Sequence, residues 1–315
     1  MRGFSNKYSD FPDYIIGITK EIWEDRGLGK AMLDYYHPDV VVRVPAGIST
    51  GEKGMTQNTL ETLAEFPDRQ LFAEDVIWSG SPEEGMLSSH RLFSTATHRG
   101  GRWGPDTGIE LTFRGIADCY AKDNQISDEW LVRDNGFIVR QLGMTPEEYV
   151  RGELEAGRPC GAFLPEDDVV GPYTGRGNDN AWGAKYADFL TRIMAAELSV
   201  ISEEWDRACK VEYPGGVSGA GWEAADAHWL GLRAAMPGAR FQVHHVIGRE
   251  DPLMPPRAAV RWSLDGVHDG WGAFGRPSAK RVHVMGISHA EFGPWGLRRE
   301  WVCYDEVAIW AQILA

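Results

Sequence analysis

Two short stretches carry the clearest hint of chemistry: "ISDEWLVRD" at 126–134 and "LRREWVCYD" at 297–305. Each contains Glu-Trp, three residues, then Asp. Alternation along a strand puts Asp128, Trp130, Val132 and Asp134 on one face, and Glu129, Leu131 and Arg133 on the other. The second stretch places Arg299, Trp301, Cys303 and Asp305 on the corresponding face. Trp, Val and Cys suit a covered face. Asp134 and Asp305 are therefore expected to look inward beside Trp130 and Trp301, with Glu129 and Arg133 on the wetter side. A carboxylate held there loses solvation, and its pKa rises from about 4. That suits a base taking a proton next to a carbonyl near neutral pH. The other reading is an Asp that accepts backbone N–H bonds at the end of a strand.

Further polar groups stand near. His98 and His268 lie at matching strand ends beside glycine-containing turns. Each could donate to a substrate oxygen, or could make a hydrogen bond that supports a neighbouring loop. Arg91 and Arg261 could grip a substrate carboxylate bidentately, or could pair with an acid inside the sheet. His90, Tyr120, His289 and Glu291 complete the set. His244, His245 and His283 raise the question of a metal. Adjacent histidines on a strand face opposite ways, and no ligand set of known spacing occurs, so no metal is expected. No glycine-rich loop sits between a strand and a helix, so no nucleotide site is expected, and no organic cofactor.

The elements that must position these residues occur twice. Pro67, Val76, Ile77, Arg91, His98 and Gly100 recur 170 residues later as Pro237, Val246, Ile247, Arg261, His268 and Gly270. Val42, Pro45, Gly47 and Ser49 recur after 169, and Gly115, Ile116, Glu129, Trp130 and Asp134 after 171. Blocks in the same order, at offsets one residue apart, indicate two homologous domains; the period is too long for a solenoid. The expected boundaries are 1–143 for the first domain and 184–315 for the second. Between them, 144–183 reads as a linker: a helix capped by Thr145, with Pro146 in its first turn and Glu148 closing a capping box, then a Gly/Pro/Asp-rich loop. Each half runs from helices through a short strand and another helix to four alternating segments, an α+β order. Apolar residues from Tyr186 to Trp205 mark one helical face.

Composition narrows the partners. The net charge is −14 with no run of Lys and Arg, which argues against nucleic acid and anionic membranes. No apolar stretch reaches membrane-spanning length. The four scattered cysteines form no CxxC, and the N-terminus lacks a signal-peptide core, so a cytoplasmic protein is expected.

"FPDRQLFAEDVIWSG", "SSHRLFSTATHRG", "PDTGIELTFRGIADCYA" and "KDNQISDEWLVRD" together resemble the SnoaL-like polyketide cyclases of the nuclear transport factor 2-like superfamily. The resemblance covers 66–134. It returns more loosely in "AVRWSLDGVHDG", "RPSAKRVHVMGISH" and "REWVCYD". It implies two tandem cone-shaped α+β barrels, each with N-terminal helices packed on a curved antiparallel sheet. It also implies an acid/base aspartate at Asp134, and at Asp305 in the second half, acting on a small apolar, polyketide-like carbonyl compound. Cyclase, isomerase and dehydratase chemistry fit, as does a non-catalytic ligand-binding module. One departure stands out: the family's Gly-Ile-Asp is Gly115-Ile116-Ala117 and Gly286-Ile287-Ser288 here. A hairpin turn at Asp123-Asn124 would put Ala117 on the face of Asp134, removing a second pocket acid. Single-domain relatives pair through their sheets, so the tandem copy is expected to act as an intramolecular pseudo-dimer, with further homo-oligomers open.

Overall fold

A computed structural model describes residues 1–315. The chain divides into two compact units. In the first, α1 (Phe11–Thr19) begins where Asp10 accepts the N–H of Asp13, and Pro12 stands in the first turn. It buries Phe11, Tyr14, Ile15 and Ile18, the i, i+3, i+4, i+7 stripe of a core-facing helix. Then follow α2 (Lys30–Tyr35), β1 (Tyr36–Val44), β2 (Gly47–Thr50) and α3 (Gly51–Glu65). The long strands are β3 (Gln70–Ser81), β4 (Gly85–Thr97), β5 (Glu110–Lys122) and β6 (Gln125–Arg133). The sheet order is β2-β1-β6-β5-β4-β3, and only β1–β6 is parallel. Asp123 and Asn124 turn β5 into β6 with φ of 49° and 68°, the left-handed pair a two-residue hairpin requires.

After α4 (Asn135–Gln141) and α5 (Pro146–Glu155), the second unit repeats the plan with α6 (Ala181–Met194), α7 (Ser199–Glu204), β7 (Trp205–Tyr213), β8 (Val217–Ala220) and α8 (Trp222–Ala235). β9 (Arg240–Arg249), β10 (Arg257–Val267), β11 (Arg281–Gly293), β12 (Gly296–Cys303) and α9 (Glu306–Leu314) complete it. Its sheet order, β8-β7-β12-β11-β10-β9, is that of the first unit. The molecule thus consists of two α+β domains, each with one six-stranded sheet.

Two expectations need adjustment. The apolar face from Tyr186 to Trp205 is not one helix: it breaks at Ala196, which has φ of 67°, and Trp205 already belongs to β7. The stretch 144–183 is also divided. Thr145–Ala162 clusters with the second unit and Phe163–Gly175 with the first. The capping box of α5 is present in full. The second part is tied down by packing and charge: Phe163 is buried, and its N–H donates to Pro45 O at 2.9 Å. Arg43 donates to Asp128 at 2.9 Å, to Asp168 at 2.5 Å and to Val169 O, while Asp128 accepts the N–H of Tyr173 at 2.8 Å. No helix is long and apolar enough to cross a membrane.

Candidate active site

Strand register decides which side chains share the helix-covered face of the first sheet. Leu131 lies opposite Ala117, Ala117 opposite His90, and His90 opposite Val76. The next rung holds Glu129, Cys119, Ser88 and Trp78, and the rung on the other side holds Arg133, Gly115 and Leu92. Val76, Ala117 and Cys119 pack with Phe11, Tyr14 and Tyr36, so this is the inner face. Its polar members are Glu129, His90, Ser88, Cys119 and Arg133.

Glu129 is 4 % exposed and accepts a hydrogen bond from the Tyr36 hydroxyl at 2.9 Å. Burial pushes its carboxyl up to about 7, against the pull of Tyr36 and Arg133. Burial, then Glu129, lifts the Cys119 thiol well above its ordinary value, so it stays protonated. His90 is 2 % exposed, and its Nε2 has no hydrogen-bond partner. Burial, then Arg91, lowers its pKa to about 3, leaving a neutral imidazole at working pH. Glu129, with its partner Tyr36, and the neutral His90 thus belong to one desolvated face, on neighbouring rungs.

The matching positions of the second unit are filled differently. Glu300 matches Glu129, but it accepts from Tyr186 at 2.9 Å, Tyr213 at 2.5 Å and Trp229 Nε1 at 3.3 Å. Its pKa is also raised, burial outweighing these donors. At the repeat offsets, His90 becomes Val260, Ser88 becomes Ala258 and Cys119 becomes Ala290. Leu92 becomes Trp262, whose indole donates to Ser288 at 2.8 Å and lies over Gly286, where an added Cβ would sit 2.3 Å from the ring. Trp229 and Trp262 are fully buried. The second inner face is closed by aromatic packing.

The residues singled out from sequence lie elsewhere. β6 ends at Arg133 and β12 at Cys303, so the strand alternation does not extend to either aspartate. Asp134 stands immediately before α4 and accepts the backbone N–H groups of Phe137 and Gly215 at 3.0 Å and Gly216 at 3.2 Å. Burial lifts its pKa to about 7 although these donors pull the other way. Asp305 is the N-cap of α9, accepting from Val307 N–H at 2.9 Å and from the Asn135 amide at 2.6 Å. Each aspartate thus serves a helix start whose N–H groups lack intrahelical partners.

Trp130 lies opposite Asp118 on the outer face, with the Arg43 guanidinium 4.5 Å from its ring. Trp301 shares its rung with His289, opposite in facing to Glu300. This corrects the facing inferred from sequence: the Asp128–Trp130 face is covered by Arg43 and the 163–175 segment, and Glu129 faces the helices. Ala117 accordingly lines up with Leu131, not with Asp134. Arg91 and Arg114 both pair with Glu74, at 3.1 and 2.7 Å. Arg261 lies beside His245 and Ile287, on the face opposite Val260. His98 bonds Thr107 Oγ1 at 2.9 Å and Gly100 O at 3.1 Å, and His268 bonds Ser278 Oγ at 3.2 Å, so both histidines engage loops. No three of His, Cys, Asp and Glu converge to hold a metal.

Glu129, expected on the wetter side, is instead buried and bonded to Tyr36. Its signal was the shared Glu of the two Glu-Trp pairs, which the tryptophan overshadowed.

The first unit thus sets a buried carboxyl, Glu129, on the helix-covered face of a six-stranded sheet. Among solved structures the chain is similar to a SnoaL-like polyketide cyclase of Agrobacterium tumefaciens, at 21 % identity, covering 41 % of this chain and 95 % of that one with a TM-score of 0.33. It is also similar to IdmH of Streptomyces antibioticus (24 %, 42 % and 98 %, TM-score 0.37) and to TsrD of Streptomyces laurentii (17 %, 41 % and 95 %, TM-score 0.36). No protein-family model matches the chain, and no curated protein does.

Proposed function

We propose that the first unit is a cofactor-independent acid/base enzyme acting on a small, largely apolar carbonyl compound. Glu129 removes or returns a proton on the carbon next to the carbonyl. The neutral His90 donates a hydrogen bond as charge moves onto oxygen, while the Tyr36 hydroxyl holds the Glu129 carboxyl. The carrying observation is the Glu129 carboxyl, buried, bonded to Tyr36, with its pKa lifted to about 7. Such a group splits its time between base and acid at neutral pH, which ring closure by aldol addition, isomerisation and dehydration all need. Asp134 and Asp305, the aspartates that the resemblance suggests, have carboxylates committed to helix starts, so the acid/base role passes to Glu129. The second unit, with Glu300 held by three donors, serves as support.

The test is hydrogen–deuterium exchange at the α-carbon of aryl methyl ketones, followed by NMR in heavy water. Glu129→Gln should slow the protein-dependent exchange by roughly a hundredfold or more, the usual weight of a positioned general base. Glu300→Gln should leave it near the wild-type rate. Exchange that survives Glu129→Gln would remove the mechanism.

A further inference from the structure

We propose that the first unit takes an anionic substrate, an aromatic keto acid, with Arg69 and Arg133 holding the carboxylate at one end of the inner face and Glu129 working at the other. The proposal rests on the acid/base reading above and adds the substrate class.

The two guanidiniums converge on one ring. Arg69 Cζ lies 5.3 Å and Arg133 Cζ 5.8 Å from the centroid of Phe113. Phe113 is itself 1 % exposed and pairs with Phe66 at 5.5 Å, so the ring is fixed. Arg69 is half-buried. Its guanidinium makes one hydrogen bond, to Ser94 Oγ at 3.4 Å, and no ion pair. Glu24, the carboxylate whose charge reaches it, already accepts the Leu71 N–H at 2.6 Å. Other arginines of this unit have acids in contact: Arg43 with Asp128, Arg91 and Arg114 with Glu74. Two like charges brought to one ring, one of them without a counter-ion, are costly unless an anion joins them. Burial and the charge of Arg133 accordingly depress the Arg69 guanidinium well below its ordinary value.

The repeat shows that the fold does not require them. The matching positions in the second unit are Ala239 and Tyr304. The pair is therefore specific to the unit in which Glu129 accepts from a single phenol.

Spacing gives the length of the ligand. Glu129, Leu131 and Arg133 point inward from alternate positions of β6, with His90 on the middle rung. Four residues of strand span roughly 13 Å between Cα atoms. A flat aromatic keto acid with its carboxylate and enolisable carbon at opposite ends fits that reach. Its carbonyl would fall near His90.

The probes are para-acetylcinnamate, its methyl ester, and the wild type, Arg69→Gln and Glu129→Gln proteins. Binding is read by titration calorimetry, and methyl exchange by NMR in heavy water. The acid should bind roughly tenfold or more tighter than the ester, as a charge-assisted contact predicts. Arg69→Gln should erase that preference, and Arg69→Lys should keep part of it. Glu129→Gln should bind the acid with the preference intact while losing exchange. Equal affinity for acid and ester, an unchanged preference in Arg69→Gln, or binding of neither probe at millimolar concentration overturns the proposal. Acid preference without exchange in the wild type would leave the anion subsite standing and sink the acid/base reading.

Discussion

Glu129 and Glu300 stand at the same place in the repeat and meet different company. Glu300 is held by two phenols and an indole; Glu129 is bonded to one phenol and lies beside a thiol and an imidazole rung. The Glu129 pKa rises from 4.5 to about 7 on folding. Below pH 4.5 it is protonated in both states, and its contribution to stability is complete. As pH climbs from 4.5 to 7 the unfolded chain ionises first, so stability is lost, by about 3 kcal/mol across the window, and then levels off. Glu129→Gln should flatten this slope. Urea midpoints at pH 5 and pH 8 should differ less in the variant, and it should be the more stable protein at pH 8. An unchanged slope would show that Glu129 does not carry the pKa shift. The facing of this residue was hard to read because both faces of β6 hold charge and apolar bulk. Trp130 suits a covered inward face, yet it lies on the outer face under Arg43.

At the scale of elements, the strand ends explain why a recurring aspartate need not be a catalyst. Asp134 and Asp305 each lie where a strand gives way to a helix, and each carboxylate takes up N–H groups of the next turn. Asp134→Asn replaces one acceptor oxygen with a donor aimed at the N–H groups of Gly215 and Gly216. It should lower stability at neutral pH by about 1–2 kcal/mol while leaving α-carbon exchange within twofold of wild type. Slower exchange at unchanged stability would return the catalytic role to Asp134. The capping box at Thr145 and the Asp123-Asn124 hairpin were legible in sequence, because a cap or a two-residue turn is a local, residue-specific event. The break at Ala196 was not, since the apolar pattern ran on across it. Nor was the course of 163–175. It depends on Arg43 and Asp128 meeting residues 45 to 126 positions away, which no local pattern reports.

For the whole chain, duplication was the most legible fact, because homologous offsets survive even where individual residues change. Two sheets of identical strand order bear it out. The asymmetry on which the proposed division of labour rests is also written in the sequence, in the exchange of Arg69, His90 and Cys119 for Ala239, Val260 and Ala290. It became readable only once the inner face was known. The division of labour predicts separable phenotypes. Glu300→Leu leaves three buried donors unpaired and should destabilise the protein by about 3–5 kcal/mol, while the chain that remains folded exchanges α-protons at the wild-type rate. A thermal-shift assay alongside the NMR exchange rate decides this. Loss of rate at unchanged melting temperature would place chemistry in both copies.

The tryptophan over Gly286 marks where the two inner faces differ most. The corresponding glycine of the first half, Gly115, faces Leu92, and a side chain there would meet backbone at 3.3 Å. The glycine is thus common to both copies, and the indole is peculiar to one. The indole fills room that the bare backbone of Gly286 leaves in the second copy. The two copies differ here by as little as one base, since a tryptophan and a leucine codon can differ by a single nucleotide. A lone mutation, Trp262→Leu, would withdraw the ring from the second inner face, at a cost of about 2–4 kcal/mol.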